Sequence, residues 1–382
     1  MPGTTNNCLR IRSSKGCFEK RKLNIYFFPH KYLRDRQLDT IRRWPKDEVI
    51  NPEIAEGRRG SQVSSGIAIA PKLKKAWQQR LPLLNLKLRP AEAPRGSVVY
   101  LWGGIATTGQ FIVDLDNPWS LVGYNMRAMP IYRLILRRVL LSSRCREIRC
   151  MSEACRKSLE HLFGAEVYHK ASVHYPHIPQ VVKSVDNLCQ DGCRFLFVGT
   201  QFEIKGGVSL LRAFERVYEG APDAKLDVVT HLPSKYEELT SRCPGLQVHP
   251  AKYSREQIHE HFMRNADVLV LPTYVESFGM VALEALAYGM AVIATDVYAL
   301  GEMVEDGRNG NLITPPISVW DGVMPSRYYF DLENMKSHIG ATDTSVFETS
   351  LADAMLRFAT DADWRISARR ESVCLMKTRF SC

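Results

Sequence analysis

The sequence lacks any apolar run near the roughly 20 residues that a membrane-spanning helix needs. The start of the chain, from Met1 to Cys17, is polar and basic and lacks the apolar stretch of a secretory signal peptide. No Cys-x2-Cys pair occurs among the 10 cysteines, so neither a zinc ribbon nor a disulfide scaffold is indicated. We therefore expect a cytoplasmic protein with reduced thiols.

Repeats and nucleic-acid motifs are also missing. We find no repeat of fixed period, no helix-turn-helix, no zinc finger and no ribonucleoprotein aromatic motif, so we expect no nucleic-acid partner. Hydrophobic residues make up 45% and charged residues 24% of the 382, which excludes wholesale disorder, collagen and coiled coil. A chain of this length fits two domains.

Charge is distributed unevenly along the chain. Residues 1–180 contain 31 Lys and Arg against 14 Asp and Glu, a net charge of +17, whereas residues 181–382 carry −7. Such a contrast suggests two domains with different partners. A basic surface attracts nucleic acid, an anionic membrane or an acidic substrate, and charge alone does not choose among them or exclude a merely solvated face.

Short apolar segments alternate with helical segments in the second half. The predicted strands there are Arg194–Val198, Lys225–Val229, Val268–Leu271 and Ala291–Thr295. This alternation is typical of an α/β protein with a parallel sheet covered on both faces, whose ligands bind beyond the carboxyl ends of the strands.

Composition suggests the domain boundaries. We expect a disordered basic tail over 1–20, a front domain over 21–178, a linker over 179–192, a back domain over 193–330 and a helical segment over 331–382. Short helices are also predicted over Lys72–Leu81 and Pro130–Ser142.

Two carboxylates stand out after the strand Val268–Leu271. Glu276 lies in the loop and Glu284 inside the following helix, whose amino end near Gly279 and Met280 offers unpaired N–H groups to a phosphate. A loop carboxylate can accept hydrogen bonds from sugar hydroxyls, and one on the helix can do so from a ribose. Taken alone, the pair fits an exposed helix face equally well or better.

A glycine-rich loop follows the strand Arg194–Val198. It runs from Gly199 through Lys205 to Gly206 and Gly207, and it leads into a helix. Lys205 is placed to meet a diphosphate as a point charge. The spacing matches neither a P-loop nor a Gly-x-Gly-x-x-Gly motif, so this loop alone is weak support.

The stretch from Phe195 to Pro315 closely resembles the nucleotide-binding half of the family 4 glycosyltransferases. The matching motifs, in family order, are Phe197-Val-Gly199, Lys205-Gly206, Ala266-Asp267-Val268, Glu276-x7-Glu284, Ala287-Tyr-Gly289, Gly301-Glu302 and Asp306-Gly-Arg-Asn-Gly310. The resemblance implies a GT-B fold, with two Rossmann-like doubly wound domains facing across a cleft. It also implies a hexosyltransferase that moves a sugar from a nucleoside diphosphate sugar to an acceptor hydroxyl with retention.

The resemblance assigns roles to particular residues. Glu276 would contact the donor sugar and Glu284 the ribose, while Lys205 would meet the diphosphate. Gly199 and Thr200, with the backbone of Phe278, Gly279 and Met280, would lie beside the phosphates. No cofactor is implied beyond the donor substrate, and the acceptor would be a glycan or glycolipid.

Two departures from the family pattern concern activity. Thr200 stands where many members carry an arginine, and no histidine follows the front-domain strand, where Asp114 or Asp116 stands instead. These departures leave open a non-catalytic relative that binds a sugar or a partner.

Two further features have competing readings. Asp114-Leu-Asp116 is an Asp-x-Asp, which holds a metal in another glycosyltransferase fold, but we predict no metal here. The helix near Ile131–Leu141, with Arg133, Arg137 and Arg138, is either a core helix with a basic edge or an interfacial helix on the inner face of a membrane.

Overall fold

The structure is a computed structural model that describes residues 23–29, 33–56, 82–185 and 192–380. The predicted tail over 1–20 and the predicted helix over Lys72–Leu81 lie outside these residues. Part of the expected linker, residues 186–191, also lies outside them.

Two parallel sheets organise the described chain. The strands of the front sheet and its small neighbour are β1 Ile25–Phe27, β2 Leu86–Lys87, β3 Val98–Trp102, β4 Ile105–Ala106, β5 Gln110–Leu115, β6 Cys145–Cys150 and β7 Ala171–Val173. Those of the back half are β8 Arg194–Val198, β9 Lys225–Thr230, β10 Leu246–Pro250, β11 Val268–Leu271, β12 Ala291–Thr295, β13 Gly310–Ile313, β14 Trp320–Asp321 and β15 Met324–Pro325.

Helices cover these sheets. The α-helices are α1 Asp35–Arg43, α2 Ala128–Leu141, α3 Glu153–Phe163, α4 Ala165–Lys170, α5 Gly207–Gly220, α6 Glu237–Thr240, α7 Arg255–Ile258, α8 Met280–Ala287, α9 Met335–Ala341, α10 Ser345–Thr360 and α11 Ala362–Leu375. Short 3-10 turns lie at Pro52–Ala55, Pro118–Val122, Ser234–Tyr236, Leu300–Glu302 and Arg327–Asn334, and π-helical turns at His259–Met263 and Met376–Phe380.

The back sheet has the order β10-β9-β8-β11-β12-β13, and all its neighbours are parallel. Counted from β8 this is 3-2-1-4-5-6, the strand order of a doubly wound dinucleotide fold. Successive strands are added on one side of β8 and then, from β11 onward, on its other side, so the switch point lies between β8 and β11. The loops after β8 and β11 flank this switch point. They carry Lys205 and Glu276, so the topology brings the two predicted motifs to one end of the sheet.

The front sheet is also parallel, in the order β1-β3-β5-β6-β7. Its central strands β3 and β5 are mostly apolar and buried because helices pack against both faces, whereas β6 alternates buried Cys and Ile with Arg and Glu. Asp114 lies at the carboxyl end of β5 and Asp116 just beyond it, on the edge that faces the back domain.

Direct contacts join the two halves. The carboxylate of Glu302 accepts hydrogen bonds from the N–H groups of Glu153 at 2.9 Å and Ala154 at 2.8 Å, at the amino end of α3. It also accepts one from the Tyr175 hydroxyl at 2.7 Å. Unpaired N–H groups and the positive end of the helix dipole favour a carboxylate here, so a back-domain residue caps a front-domain helix.

The structure confirms most predicted strands and adds elements that the sequence did not suggest. Ser152 caps α3 through a bond from Cys155 N–H at 3.0 Å, and Gly164 ends it. Ser254 and Gln257 form a capping box at the start of α7. The helix α1 and the edge strands β7, β10 and β13 were not expected from the sequence.

Candidate active site

A cavity of about 340 Å³ lies in the cleft beyond the carboxyl ends of the back-domain strands. Both domains line it, with Arg34, Asp35, Arg36, Asp116 and Met151 from the front and Arg255, Glu284 and residues 276–281 from the back. Six residues that the sequence singles out meet here: Asp116, Glu276, Phe278, Gly279, Met280 and Glu284. We call it the donor cavity.

Glu276 and Lys205 form an ion pair at the edge of this cavity. The ammonium of Lys205 donates to Oε2 of Glu276 and to the carbonyl oxygen of Val275, both at 2.8 Å. Burial by itself raises the pKa of Glu276. Lys205 and the N–H of Ser277 lower this pKa by more than burial raises it, so it lies below its usual value. Glu276 is therefore an ionised hydrogen-bond acceptor in the cavity.

The amino end of α8 forms one wall. Gly279 precedes the helix with a φ of +90°, and a Cβ there would lie 2.5 Å from Cδ2 of Leu300, so only glycine fits. The first N–H groups of a helix have no partner within it, and the dipole makes that end positive. This wall therefore suits an anion such as a diphosphate.

The loop that ends at Gly206 is held rigidly against the sheet. Gly206 has a φ of +76°, and a Cβ there would lie 1.9 Å from the carbonyl oxygen of Pro272. Glu203 in this loop forms ion pairs of 2.7 Å with Lys235 and with Lys336. Burial raises the pKa of Glu203, but the two lysines bring it down to about 2. These contacts fix the position of the loop that carries Lys205, whose ammonium binds Glu276 at the edge of the cavity.

Glu284 is bound by an arginine that bridges the domains. Arg255 donates from Nε to Oε1 of Glu284 and from Nη1 to Asp39 of the front domain, both at 2.7 Å. The second oxygen, Oε2, lies 3.6 Å from Nε2 of His259. Arg255 thus orients the carboxylate while Oε2 stays within reach of a ligand hydroxyl.

The two front-domain aspartates have different surroundings. Asp114 is bound by Arg36 at 3.0 Å and by the hydroxyl of Tyr100 at 2.7 Å, and it does not line the donor cavity. Asp116 does line it, and both its oxygens accept from the Tyr124 hydroxyl at 3.0 Å. Burial raises the pKa of Asp116, although Arg36 lowers it in part. Of these two aspartates, the geometry therefore favours Asp116 as the one that can contact a donor.

Trp320 anchors the loop that carries Glu276. Its indole N–H donates to the backbone carbonyl of Glu276 at 2.6 Å, and its ring stacks on Tyr298 with centroids 4.0 Å apart. Trp119 of the front domain touches the same indole, with ring centroids 5.6 Å apart. A hairpin near the end of the back domain thus connects the front domain to the donor loop.

Several predicted residues lie outside the cavity walls. Thr200 is exposed, and Gly199 packs under the side chain of Lys205, which itself reaches the cavity only through Glu276. Arg255 and Trp320 were missed by sequence reasoning. A capping serine immediately before Arg255 is the only local signal that marked that place.

Comparisons with known proteins find similarity to glycosyltransferases. Residues 192–320 match the family model for glycosyl transferases group 1. A stretch of 74 residues is 45% identical to the D-inositol 3-phosphate glycosyltransferase of Paenarthrobacter aurescens, which covers 19% of this chain and 16% of that protein. Another, of 176 residues, is 31% identical to the alpha-maltose-1-phosphate synthase of Mycolicibacterium smegmatis and covers 44% of this chain and 38% of that protein.

A third relative is the phosphatidyl-myo-inositol mannosyltransferase of Mycobacterium tuberculosis, 33% identical over 133 residues, which cover 34% of this chain and 35% of that protein. In each case the matched stretch spans well under half the length of the relative.

Solved structures show the fold. The Anabaena protein HepE, solved with UDP and glucose, matches with a TM-score of 0.50 at 14% identity over 74% of both chains. The sucrose-phosphate synthase of Thermosynechococcus elongatus matches with a TM-score of 0.51 at 15% identity, over 74% of this chain and 69% of that one. The chain has the GT-B fold, with two Rossmann-like domains facing across a cleft.

Proposed function

We propose that this protein is a glycosyltransferase that moves a sugar from a nucleoside diphosphate sugar to an acceptor hydroxyl. The observation that carries the proposal is the meeting of Glu276, Glu284 and the amino end of α8 in one cavity, with Asp116 opposite. The names of the relatives, all glycosyltransferases or sugar-phosphate synthases, support the same class of reaction.

Each group has a role in this proposal. Oε2 of Glu284 accepts from a ribose hydroxyl, and Glu276 accepts from hydroxyls of the donor sugar. The amino end of α8 and the ammonium of Lys205 stabilise negative charge on the leaving diphosphate. The carboxylate of Asp116 stabilises positive charge on the sugar as the bond from the anomeric carbon to the diphosphate lengthens.

The stereochemistry and the domain roles are part of the same proposal. Retention of the anomeric configuration rests on the resemblance to the family 4 enzymes, and proton NMR of the first-formed product anomer tests it. Residues 21–178 would receive the acceptor and residues 193–330 the donor, with 179–192 as the linker.

The proposed reaction is independent of metal. Lys205 and the helix end supply the positive charge that a divalent ion supplies in other phosphate-transfer sites. Donor binding and turnover should therefore persist in excess EDTA. Activity that is lost in EDTA and restored by Mn²⁺ would contradict this part of the proposal.

The acceptor-side domain also carries a surface suited to an anionic membrane. On α2 the apolar residues Ile131 and Leu134 are 59% and 66% exposed, beside the exposed Arg133 and Arg138. Exposed apolar and basic side chains on one helix are typical of interfacial binding. No helix in the described residues is long and apolar enough to cross a bilayer. We propose that α2 brings the enzyme to a membrane-borne glycolipid.

A thermal-shift screen of nucleotides and nucleotide sugars tests the donor site directly. A ligand that binds only the folded protein raises the unfolding temperature by mass action. We expect a shift from at least one nucleoside diphosphate and a larger one from its cognate sugar conjugate. The absence of any shift across the panel would contradict the proposed function.

A further inference from the structure

A second cavity of about 520 Å³ lies in the same cleft, beside the donor cavity. Arg36 lines both cavities, so ligands in the two would lie on either side of one guanidinium group. The walls of this second cavity come from α1, from residues 173–177 and from the end of the described chain at Phe380. It therefore offers room for a second ligand next to the donor.

Two of the three acidic residues in these walls form ion pairs with arginines. Asp114 is bound by Arg36 at 3.0 Å, and Asp39 is bound by Arg255 at 2.7 Å. The third carboxylate, Glu48, accepts a hydrogen bond from the Trp44 indole at 3.0 Å. Four arginines face these three acids: Arg36, Arg43, Arg149 and Arg379. An anionic ligand would thus meet few unpaired negative charges.

Arg149 stacks on the Trp44 ring, with Cζ 5.0 Å from the ring centroid, and its hydrogen bonding is incomplete. Its side chain is 18% exposed, and its Nε is buried without a hydrogen-bond partner among the described residues. Its contact with Glu147 is long, at 3.4 Å, and Glu147 is held more closely by His174 at 2.8 Å. A guanidinium has five N–H donors, and leaving a buried one unpaired costs free energy. Although Nε itself is enclosed, the side chain lines the cavity, so its terminal N–H groups can donate to ligand oxygens there.

A histidine in the same walls has a similar deficit. Nδ1 of His177 is buried and has no hydrogen-bond partner among the described residues. Burial lowers the pKa of His177, and the positive charge of Arg43 lowers it further, so the ring is neutral near pH 7. A neutral imidazole can donate one hydrogen bond to a ligand oxygen.

We infer that this cavity binds an acceptor that carries an anionic group, a carboxylate or a phosphate, with Arg149 as its main contact and His177 as its second. The inference rests on the proposed function, since it takes the neighbouring cavity as the donor site. It narrows the acceptor from any glycan to an acidic one. Planar carboxylates and phosphates fit the forked donors of a guanidinium.

Calorimetry with a matched set of ligands tests this inference. Glucose, glucuronate and glucose 6-phosphate share a ring and differ in charge, and each would be titrated into the full chain. We expect at least one anionic member to bind ten-fold or more tighter than glucose. Arg149→Gln should abolish that preference, whereas Arg95→Gln, at an exposed arginine outside both cavities and outside α2, should leave it unchanged.

One further variant and two further probes make the outcome decisive. Arg149→Lys keeps the charge and should retain part of the preference, which preserves the test if the glutamine variant does not fold. Glycerol phosphate and phosphatidylglycerol vesicles, compared in the same variants, tell a soluble anion from a lipid-borne one. Equal binding of the three sugars, or a preference that survives Arg149→Gln, would overturn the inference.

A nucleoside diphosphate titration separates the two proposals. Nucleotide binding without any preference for anionic sugars would overturn the acceptor inference and leave the donor cavity intact. A preference for anionic sugars without nucleotide binding would overturn the proposed function and leave the anion site standing.

Discussion

Glu284 is held by contacts on one oxygen and is open on the other. Arg255 binds Oε1 at 2.7 Å, whereas the nearest recorded partner of Oε2 is His259, 3.6 Å away. This arrangement fixes the orientation of the carboxylate and leaves one oxygen as an acceptor for a ligand. If that ligand is a ribose, the side chain contributes to nucleotide affinity rather than to the fold alone.

Glu284→Ala should weaken nucleoside diphosphate binding by about 1.5–3 kcal/mol, the range for hydrogen bonds to a charged group. The helix should persist because alanine is the best helix former. Calorimetry measures the change, with Glu260→Ala as control, since Glu260 is exposed and pairs only along its own helix with Arg264. Unchanged affinity in Glu284→Ala would remove this residue from the site.

The ion pair of Lys205 and Glu276 makes stability depend on pH. The pKa of Glu276 in the folded protein lies below its unfolded value, so its stabilising effect is present above about pH 4.5 and is lost as pH falls through the folded pKa. Lys205→Met removes the main cause of the lowering and leaves the burial that raises it. The pKa of Glu276 should then rise, because the burial remains and the compensating ammonium is gone.

The loss of stability in Lys205→Met should consequently grow as pH rises from 3 to 7 and shrink toward acid pH. Unfolding midpoints measured across this range give the difference between variant and parent. Lys225→Met, at an exposed lysine of β9, is the matched control. A difference that stays constant with pH would mean that Lys205 does not set the ionisation of Glu276.

At the scale of elements, the hairpin that contains Trp320 supports the donor loop. Trp320→Phe keeps the ring stacking on Tyr298 but removes the N–H that donates to the Glu276 carbonyl. If Glu276 contacts the donor sugar, as proposed, the variant should lose affinity for a nucleotide sugar by about 1 kcal/mol, a typical net value for one hydrogen bond. Affinity for the nucleoside diphosphate alone should hold.

Trp364→Phe is the control for that experiment. Trp364 is a tryptophan of α11 whose indole nitrogen is buried without a hydrogen-bond partner among the described residues, so its loss should change neither affinity. Equal losses for nucleotide and nucleotide sugar in Trp320→Phe would indicate a general structural role and not a specific support of Glu276.

The central strands could be predicted from the sequence, whereas the edge elements could not. Val268–Leu271 and Ala291–Thr295 are unbroken apolar runs because both faces are buried, and the structure confirms their bounds. The edge strand Leu246–Pro250 is only half buried and mixes Gln and His with apolar residues. The helix Asp35–Arg43 is amphipathic, but it is short and has only two apolar residues, Leu38 and Ile41, which is too little pattern to recognise in the sequence.

The same limit applies to the site. Glu276 and Glu284 could be recognised because one loop and one helix carry both, at a fixed spacing. Arg255 could not, since its role depends on Asp39, which is 216 residues away in the sequence and meets it only in the folded chain. The local sequence pattern thus predicts the back-domain residues of the cavity, whereas the contacts that join them to the front domain can be seen only in the folded chain.

At the scale of the whole molecule, residues 1–180 carry a net charge of +17. This charge attracts anionic surfaces to the part of the molecule that contains the exposed face of α2. The structure divides the three arginines of this helix. Arg137 is bonded to Glu166 and to the carbonyl of Phe163, so it is not available to a membrane. Arg133 and Arg138 are exposed beside Leu134 and remain as the residues to test.

Replacing Arg133 and Arg138 with glutamine should reduce sedimentation with anionic vesicles, by about 1 kcal/mol for each charge removed near the surface. Leu134→Ser should reduce it further, because the leucine side chain loses its apolar burial in the interface. Added salt should also reduce the sedimentation of the parent protein with these vesicles, because salt screens charges beyond about 10 Å at 0.1 M. Arg95→Gln, at an exposed arginine outside α2, is the charge-matched control, and nucleotide binding should be unchanged in every variant. If the parent protein does not sediment with anionic vesicles even at low salt, the helix does not dock on a membrane, and a soluble acceptor becomes the better assignment for the neighbouring cavity.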